Sequence, residues 1–363
     1  KRGSVTSERT LSLFQAMSWR PRSRPLLSAN EKIAAAAATT ALAATRFTLN
    51  KLNASPFALL CSHLRTAGAT KLALLVGAAG VVFSVYRRKM YGLCVRGRVC
   101  LVSGASSGVG AQTAIELARQ GAGAVVITGR DQRRLSEVAE RVAAAGEAVV
   151  ATHMCELSDP AAVDKLVVDL ANSAIGMPSI VIQAAGAGRW RSLPEISAQE
   201  ALGCLDAPLV SSILLSRALL PHLAEMPESA FVLINSPVSR GTVLGATAYC
   251  AARWGLRGLC EALRADCSGT NIRVIEVVLN EITDSSYFTG DPDGRARIPI
   301  VKHLLGPALT SQAAAAGVIS PICSGNAVHA APMLLGLNLA ITPFLWSLYT
   351  YLSVRTSCVR FGA

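Results

Sequence analysis

Val99-Cys100-Leu101-Val102-Ser103-Gly104-Ala105-Ser106-Ser107-Gly108-Val109-Gly110 is the stretch that decides the fold. Its first five residues are a short apolar run of the length of a buried strand, and helical spacing takes over from Gly108 to Gln120. The glycines Gly104, Gly108 and Gly110 lie where strand turns into helix. At such a turn glycine lets the backbone approach a pyrophosphate, while the helix N-terminus supplies amide hydrogens and the positive end of its dipole. Ser103, Gly104, Ser106, Ser107, Gly108, Val109 and Gly110 are therefore the candidate cradle for a dinucleotide.

Working outward, further β-branched runs follow at Ala124–Thr128, Ala148–Thr152, Ser179–Gln183, Ala230–Asn235 and Asn271–Val278. Helical stretches separate them, among them 197–224 and 248–267. Strands that alternate with helices predict an α/β fold, a Rossmann-type doubly wound parallel sheet, over residues 99–300. The second strand ends Ile127-Thr128-Gly129-Arg130 without the acid that would bind a ribose 2′-hydroxyl. Arg130 offers a guanidinium for a 2′-phosphate instead, which predicts NADP(H) over NAD(H); the alternative is a solvated Arg that opens a helix.

Tyr249-Cys250-Ala251-Ala252-Arg253 and Ser236, thirteen residues before Tyr249, complete a pattern with the glycine loop. Together they resemble the short-chain dehydrogenase/reductase family, whose signature is Tyr-x-x-x-Lys with an upstream Ser. The resemblance implies that Tyr249 is the general acid towards a substrate carbonyl and that Ser236 orients that carbonyl. Arg253 stands where the family has the Lys that holds the ribose hydroxyls. Arg253 keeps the positive charge but is a planar fork that does not release a proton. The family's Asn, on the preceding long helix, falls on Pro208, which has no amide side chain and is expected to kink that helix. The tetrad reads as degraded, with two of its four positions kept.

The same resemblance places Cys155-Glu156-Leu157 beside the adenine, with Glu156 in place of Asp and Leu157 following it. It sets Gln183-Ala184-Ala185-Gly186 where the family has Asn-Asn-Ala-Gly, with Ala185 and Gly186 as cofactor-binding positions. Leu279-Asn280-Glu281 takes the place of its Pro-Gly segment. Within the family, Gly241–Tyr249 and Arg257–Leu263 are similar to the 3-ketodihydrosphingosine reductases. That likeness implies a membrane-bound protein, NADPH, and a long-chain 3-keto lipid as substrate.

Charge is divided sharply along the chain. Residues 1–98 carry sixteen Lys and Arg against Glu8 and Glu31, whereas residues 99–363 carry nineteen against twenty-one acids. The basic character thus belongs to an N-terminal extension and not to the folded body, which argues against nucleic acid as a partner. With 51% hydrophobic residues and a mean hydropathy of +0.41, membrane contact is expected. Residues 1–66 read as a basic Ala/Arg/Ser-rich arm, either retained for anchoring or a targeting segment. Residues 67–98 read as an anchor and its basic stop: Leu72–Tyr86 is uncharged and is followed by Arg87-Arg88-Lys89, with a buried core helix as the alternative.

Residues 301–363 are expected to associate with the membrane, since Ala327–Val354 holds no charge. That stretch is one kinked span, a pair of short helices, or a buried dimerisation helix. The ten cysteines form no CxxC pair and the five histidines are scattered, so neither a metal site nor a disulfide framework is expected. Cys250, Cys260 and Cys267 read as small buried residues of one helix.

Three functional readings follow. The first is an NADP(H)-binding accessory subunit of an organellar membrane complex whose chemistry is impaired. The mitochondrial inner membrane is favoured for it, with the endoplasmic reticulum as the alternative. The second is a working NADPH-dependent reductase of a long-chain keto lipid, and the third a non-catalytic NADP(H) sensor. Membrane lipids, subunits of a complex or a second copy of the chain are the expected partners.

Overall fold

The computed structural model describes residues 92–289, 292–298, 307–331 and 335. The basic arm, the apolar span Leu72–Tyr86 and residues 336–354 of the C-terminal stretch lie outside the described residues. Seven strands form one sheet: β1 (Val99–Ser103), β2 (Ala124–Gly129), β3 (Val149–Met154), β4 (Ile180–Gln183), β5 (Ser229–Asn235), β6 (Ile272–Leu279) and β7 (Val328–Ala331). They are ordered β3-β2-β1-β4-β5-β6-β7, and every pairing is parallel.

Alternation along each strand divides the core in two, because successive side chains leave opposite faces of a sheet. On one face Val102, Val125 and Ile127 pack with α1 (Gly108–Arg119), α2 (Gln132–Ala143) and a helix near the C-terminus. On the other, Leu101, Val126, Val181 and Phe231 meet α3 (Pro160–Ala171) and two later helices. With both faces covered, the inner strands are largely apolar and β2 is buried from end to end. The expected doubly wound parallel sheet is the fold observed.

The long helical stretch near 197–224 is α4 (Ala198–Leu205), a π-helical turn at Asp206–Val210, and α5 (Ser211–Glu225). Pro208 lies in the π turn, whose wider winding absorbs the donor that proline lacks. Ser211 and Ser212 hydroxyls bond back to the carbonyls of Ala207 and Pro208. Among the described residues, Ala198–Glu225 is the one helical run long and apolar enough to cross a membrane. Leu215, Ala218, Leu219 and Leu223 bury its inner face in the sheet's core, while Leu202 and Ile213 stay exposed.

Two expected boundaries move. Leu93 and Val95 are core residues, and the Leu93 N–H donates to the Ile322 carbonyl at 2.9 Å, so the body begins before residue 99. Helix α6 (Thr247–Asp266), the short α7 (Pro292–Ala296) and α8 (Ser311–Ser324) follow in the chain, and α8 packs against α1. Strand β7 then pairs with β6 through Glu276↔Val328 to Leu279↔Ala331. The described part of the segment expected at the membrane, through Ala331, thus completes the sheet.

Phe231 is fully buried on the interior strand β5. Phe231→Ala is expected to cost about 3–5 kcal/mol, read as a lowered midpoint in denaturant unfolding of the folded body.

Candidate active site

Chain order reverses between β1 and β4, and in an open parallel sheet that reversal leaves a crevice beyond the strand C-termini. The glycine loop forms its floor. Gly104 has φ +61°, and a Cβ there would fall 2.5 Å from the Ala185 Cα; one on Gly110 would fall 2.4 Å from the Gly104 carbonyl oxygen. Both must be glycine for loop and strand to close up. Gly108 is different, since its nearest neighbour is the Ser285 Cβ at 3.7 Å and its outer side stays open. Ser107 caps α1 without a side-chain hydrogen bond, and no acid lies in the first turn. A helix end left in this state suits an anion.

One cavity of about 820 Å³ occupies the crevice. Gly104, Ser106, Ser107, Gly108, Val109, Gly110, Arg130, Glu156, Leu157, Ala185 and Gly186 line it at the loop end, with Ser236, Tyr249 and Arg253 also in its wall. Of the predicted site residues only Ser103 is not in its lining. Its hydroxyl instead donates to the Gln183 side chain and accepts from the Ala184 N–H at 3.2 Å, while the Gln183 amide donates to the Ser211 hydroxyl. Ser103 braces the sheet, and Gln183 links β1, β4 and α5 from the position where the resemblance has asparagine.

Arg130 pairs with Glu156 at 3.6 Å, but its side chain is 73% exposed. Exposed pairs contribute little, so turning Arg130 towards a ligand anion costs little. Arg134, on the first turn of α2, lines the same cavity and was missed. Its signal was the cluster Arg130, Arg133 and Arg134 after the second strand.

A buried network holds the ends of β5 and β6. Glu276 has no solvent exposure, and Arg240 grips it with two bonds of 2.6 and 3.1 Å. Asn235 donates to the Glu276 carboxylate at 2.8 Å and to the Arg253 carbonyl at 3.3 Å, and its own side-chain oxygen accepts the Ser236 N–H at 2.9 Å. This carboxylate was missed too. It is the single acid of β6, a run otherwise apolar apart from Arg273.

Arg253 is buried, donates to the Ile234 carbonyl at 3.0 Å, and lies 5.1 Å above the centre of the Tyr249 ring. Its Nε is buried with no hydrogen-bond partner, a polar atom that a bound ligand could complete. Tyr249 is wedged between Trp190 and Tyr287, at ring distances of 5.5 and 6.2 Å. Gly188 presses on both tyrosines: a Cβ there would lie 2.4 Å from Tyr249 and 2.7 Å from the Tyr287 hydroxyl.

Cys155 and Cys204 line the cavity, but burial pushes both thiols up, Cys155 to about 11, so neither is a nucleophile at neutral pH. Cys250, Cys260 and Cys267 are small buried side chains, as expected. On the rim, Arg297 grips the Glu195 carboxylate through bonds of 2.7 and 2.8 Å. Those bonds and the Ser192 N–H hold Glu195 down at about 2. An open glycine cradle, flanking guanidiniums and an orphaned buried Nε together fit a phosphate-bearing dinucleotide.

Residues 98–287 match the family model described as short chain dehydrogenase. The chain is 29% identical over 202 residues to an uncharacterized oxidoreductase of Staphylococcus saprophyticus, covering 55% of this chain and 84% of that one. It is 30% identical over 180 residues to a (2S)-[(R)-hydroxy(phenyl)methyl]succinyl-CoA dehydrogenase subunit of Thauera aromatica, covering 50% and 71%. A short-chain dehydrogenase from Sphingobium yanoikuyae, solved in complex with NADPH, shares the fold with TM-score 0.58 and 21% identity, over 73% of this chain and 98% of that one.

Glu276→Ala is expected to cost about 3–5 kcal/mol, because the largely buried Arg240 loses its counter-charge; chemical denaturation of the variant beside the parent checks it. Glu195 contributes stability that is full above its ordinary value near 4.5 and is lost as pH falls towards about 2. Its partly exposed position limits this to under about 1 kcal/mol. Glu195→Gln should therefore lower the unfolding midpoint slightly at pH 6, and the difference from the parent should shrink below about pH 4.5 and close only near pH 2.

Proposed function

From the premise that this chain belongs to the short chain dehydrogenase family, we propose that it is an NADP(H)-dependent oxidoreductase that reduces the carbonyl of an apolar substrate. The observation that carries this reading is the single cavity shared by the glycine cradle, Arg130, Ser236, Tyr249 and Arg253. Gly104, Ser106, Ser107 and Gly110 would hold the pyrophosphate at the end of α1, and Arg130 with Arg134 a 2′-phosphate. When bound, the dinucleotide supplies the hydride. Tyr249 gives its proton to the carbonyl oxygen, and Ser236 orients that oxygen. Arg253 keeps a positive charge beside the Tyr249 ring, in the place where the family signature has Lys.

The substrate end is apolar. Trp190, Val238, Tyr249, Val243, Phe288 and Ile298 pack there as one cluster. That wall suits an extended or flat lipid-like ketone, and the long-chain 3-keto sphingoid bases are the substrate class we favour. The basic arm, Leu72–Tyr86 and the uncharged stretch that ends at Val354 support a place at an organellar membrane, where such a substrate would be collected.

A second reading rests on Pro208 and Arg253. With no side-chain amide at the first and no transferable proton at the second, chemistry would be slow. The protein would then serve as an NADP(H)-binding accessory subunit of a membrane complex, the mitochondrial inner membrane being the favoured site.

NADPH oxidation with 3-ketodihydrosphingosine in detergent separates the two. Turnover is expected, with loss of at least a hundredfold in Tyr249→Phe, equivalent to about 2.7 kcal/mol in the transition state. Arg130→Ala is expected to weaken NADPH about tenfold while NADH is little changed. Nucleotide binding without turnover would establish the accessory reading instead.

A further inference from the structure

Tyr287 is a second phenol, half-buried, that the family pattern does not assign. It sits in the short 3-10 turn Ser286–Phe288, just beyond β6, and it lines the cavity with Ser236 and Tyr249. Its ring meets Tyr249 edge-on at 6.2 Å and Phe288 edge-on at 4.8 Å, which fixes where the hydroxyl lies. That hydroxyl is buried without a hydrogen bond of ordinary geometry, although Tyr249 and Trp190 are polar side chains within its reach. Buried hydroxyls are almost always well paired, so one on a cavity wall whose contacts with Trp190 and Tyr249 fall short of good geometry has capacity left for a ligand. The Gly188 backbone comes close to the Tyr249 ring and the Tyr287 hydroxyl together, and so holds the two phenols at one point of the cavity.

We propose that Tyr287 donates a hydrogen bond to the carbonyl oxygen of the substrate, as a second donor beside Tyr249. The inference rests on the reading of the site as one that binds a carbonyl. Pro208 has no side-chain amide to contribute to the site, and Tyr287 supplies a donor from another element. Burial pushes its phenol well above the ordinary value, the neighbouring Tyr249 adds to this, and Arg253 opposes it. Tyr287 therefore holds its proton more tightly than an ordinary phenol and keeps an O–H to donate.

The balance of the step is unchanged by it. The hydride that a bound reduced dinucleotide would supply goes to the carbonyl carbon as the C=O π bond breaks. The Tyr249 proton passes to the oxygen to give the alcohol, and the Tyr249 phenolate regains a proton from water. Tyr287 keeps its proton throughout and stabilises the negative charge that grows on the oxygen.

The test compares binding of a medium-chain methyl ketone with that of the alkane of equal length, by quenching of tryptophan fluorescence with the oxidised dinucleotide present so that no reduction occurs. The parent protein should prefer the ketone. Tyr287→Phe should cut that preference about tenfold and leave alkane affinity unchanged, while Tyr287→Gln, which retains an N–H donor, should keep part of it. Equal ketone preference in the parent and Tyr287→Phe would overturn the assignment, as would equal loss in the Phe and Gln variants. Turnover is read separately in the parent, so a protein that binds ketone through Tyr287 without reducing it would sink the reductase reading alone.

Discussion

A carboxylate with no exposure to water sits on a strand at the heart of this domain, and it must be neutralised where it stands. Taking an ion out of water costs several kcal/mol, recovered only when its partners are close and its lone pairs are filled. Glu276 meets that demand with the Arg240 fork and the Asn235 amide. Because Asn235 also holds the Ser236 N–H and the Arg253 carbonyl, the same demand fixes the backbone on either side of the reaction site. The charge that endangers the core is thus what keeps β5, β6 and α6 in one arrangement.

Much of the fold was legible because it follows from short-range rules. The run Val99–Ser103, three glycines and a helix can be satisfied by few backbones, and the apolar strands announce a sheet covered on both faces. The cavity lining was legible for the same reason: the cradle, Arg130 and the Ser236–Tyr249–Arg253 set all lie at strand ends or helix starts, where a parallel sheet gathers them. Membrane expectations had a different footing, since hydropathy alone cannot tell a span from a core helix. Ala198–Glu225 shows this, being long and apolar yet packed against the sheet.

What escaped the sequence depended on partners distant along the chain. Ser103 looked like a ligand to phosphate, but its neighbour in space is Gln183, and that contact belongs to the sheet. Pro208 promised a kink; the structure has a π turn, a local change of winding that no residue pattern announces. β7 is only Val328–Ala331, too short to stand out at the head of a long uncharged stretch, and it becomes a strand because the edge of β6 is there to receive it. Glu276 carried a signal, a lone acid in an apolar run, but its meaning rested on Arg240, 36 residues away.

The pairing of β1 with β4 also sets a schedule for the growing chain. Ser103 and Gln183 are 80 residues apart, and synthesis proceeds at about 5–20 residues per second. For roughly 4–16 s the nucleotide-binding half leaves the ribosome with one side of its central strand unpaired. An exposed apolar strand edge invites wrong partners. The glycine loop is therefore the first part of the site to be made, and it must wait for Gln183 before its floor is locked.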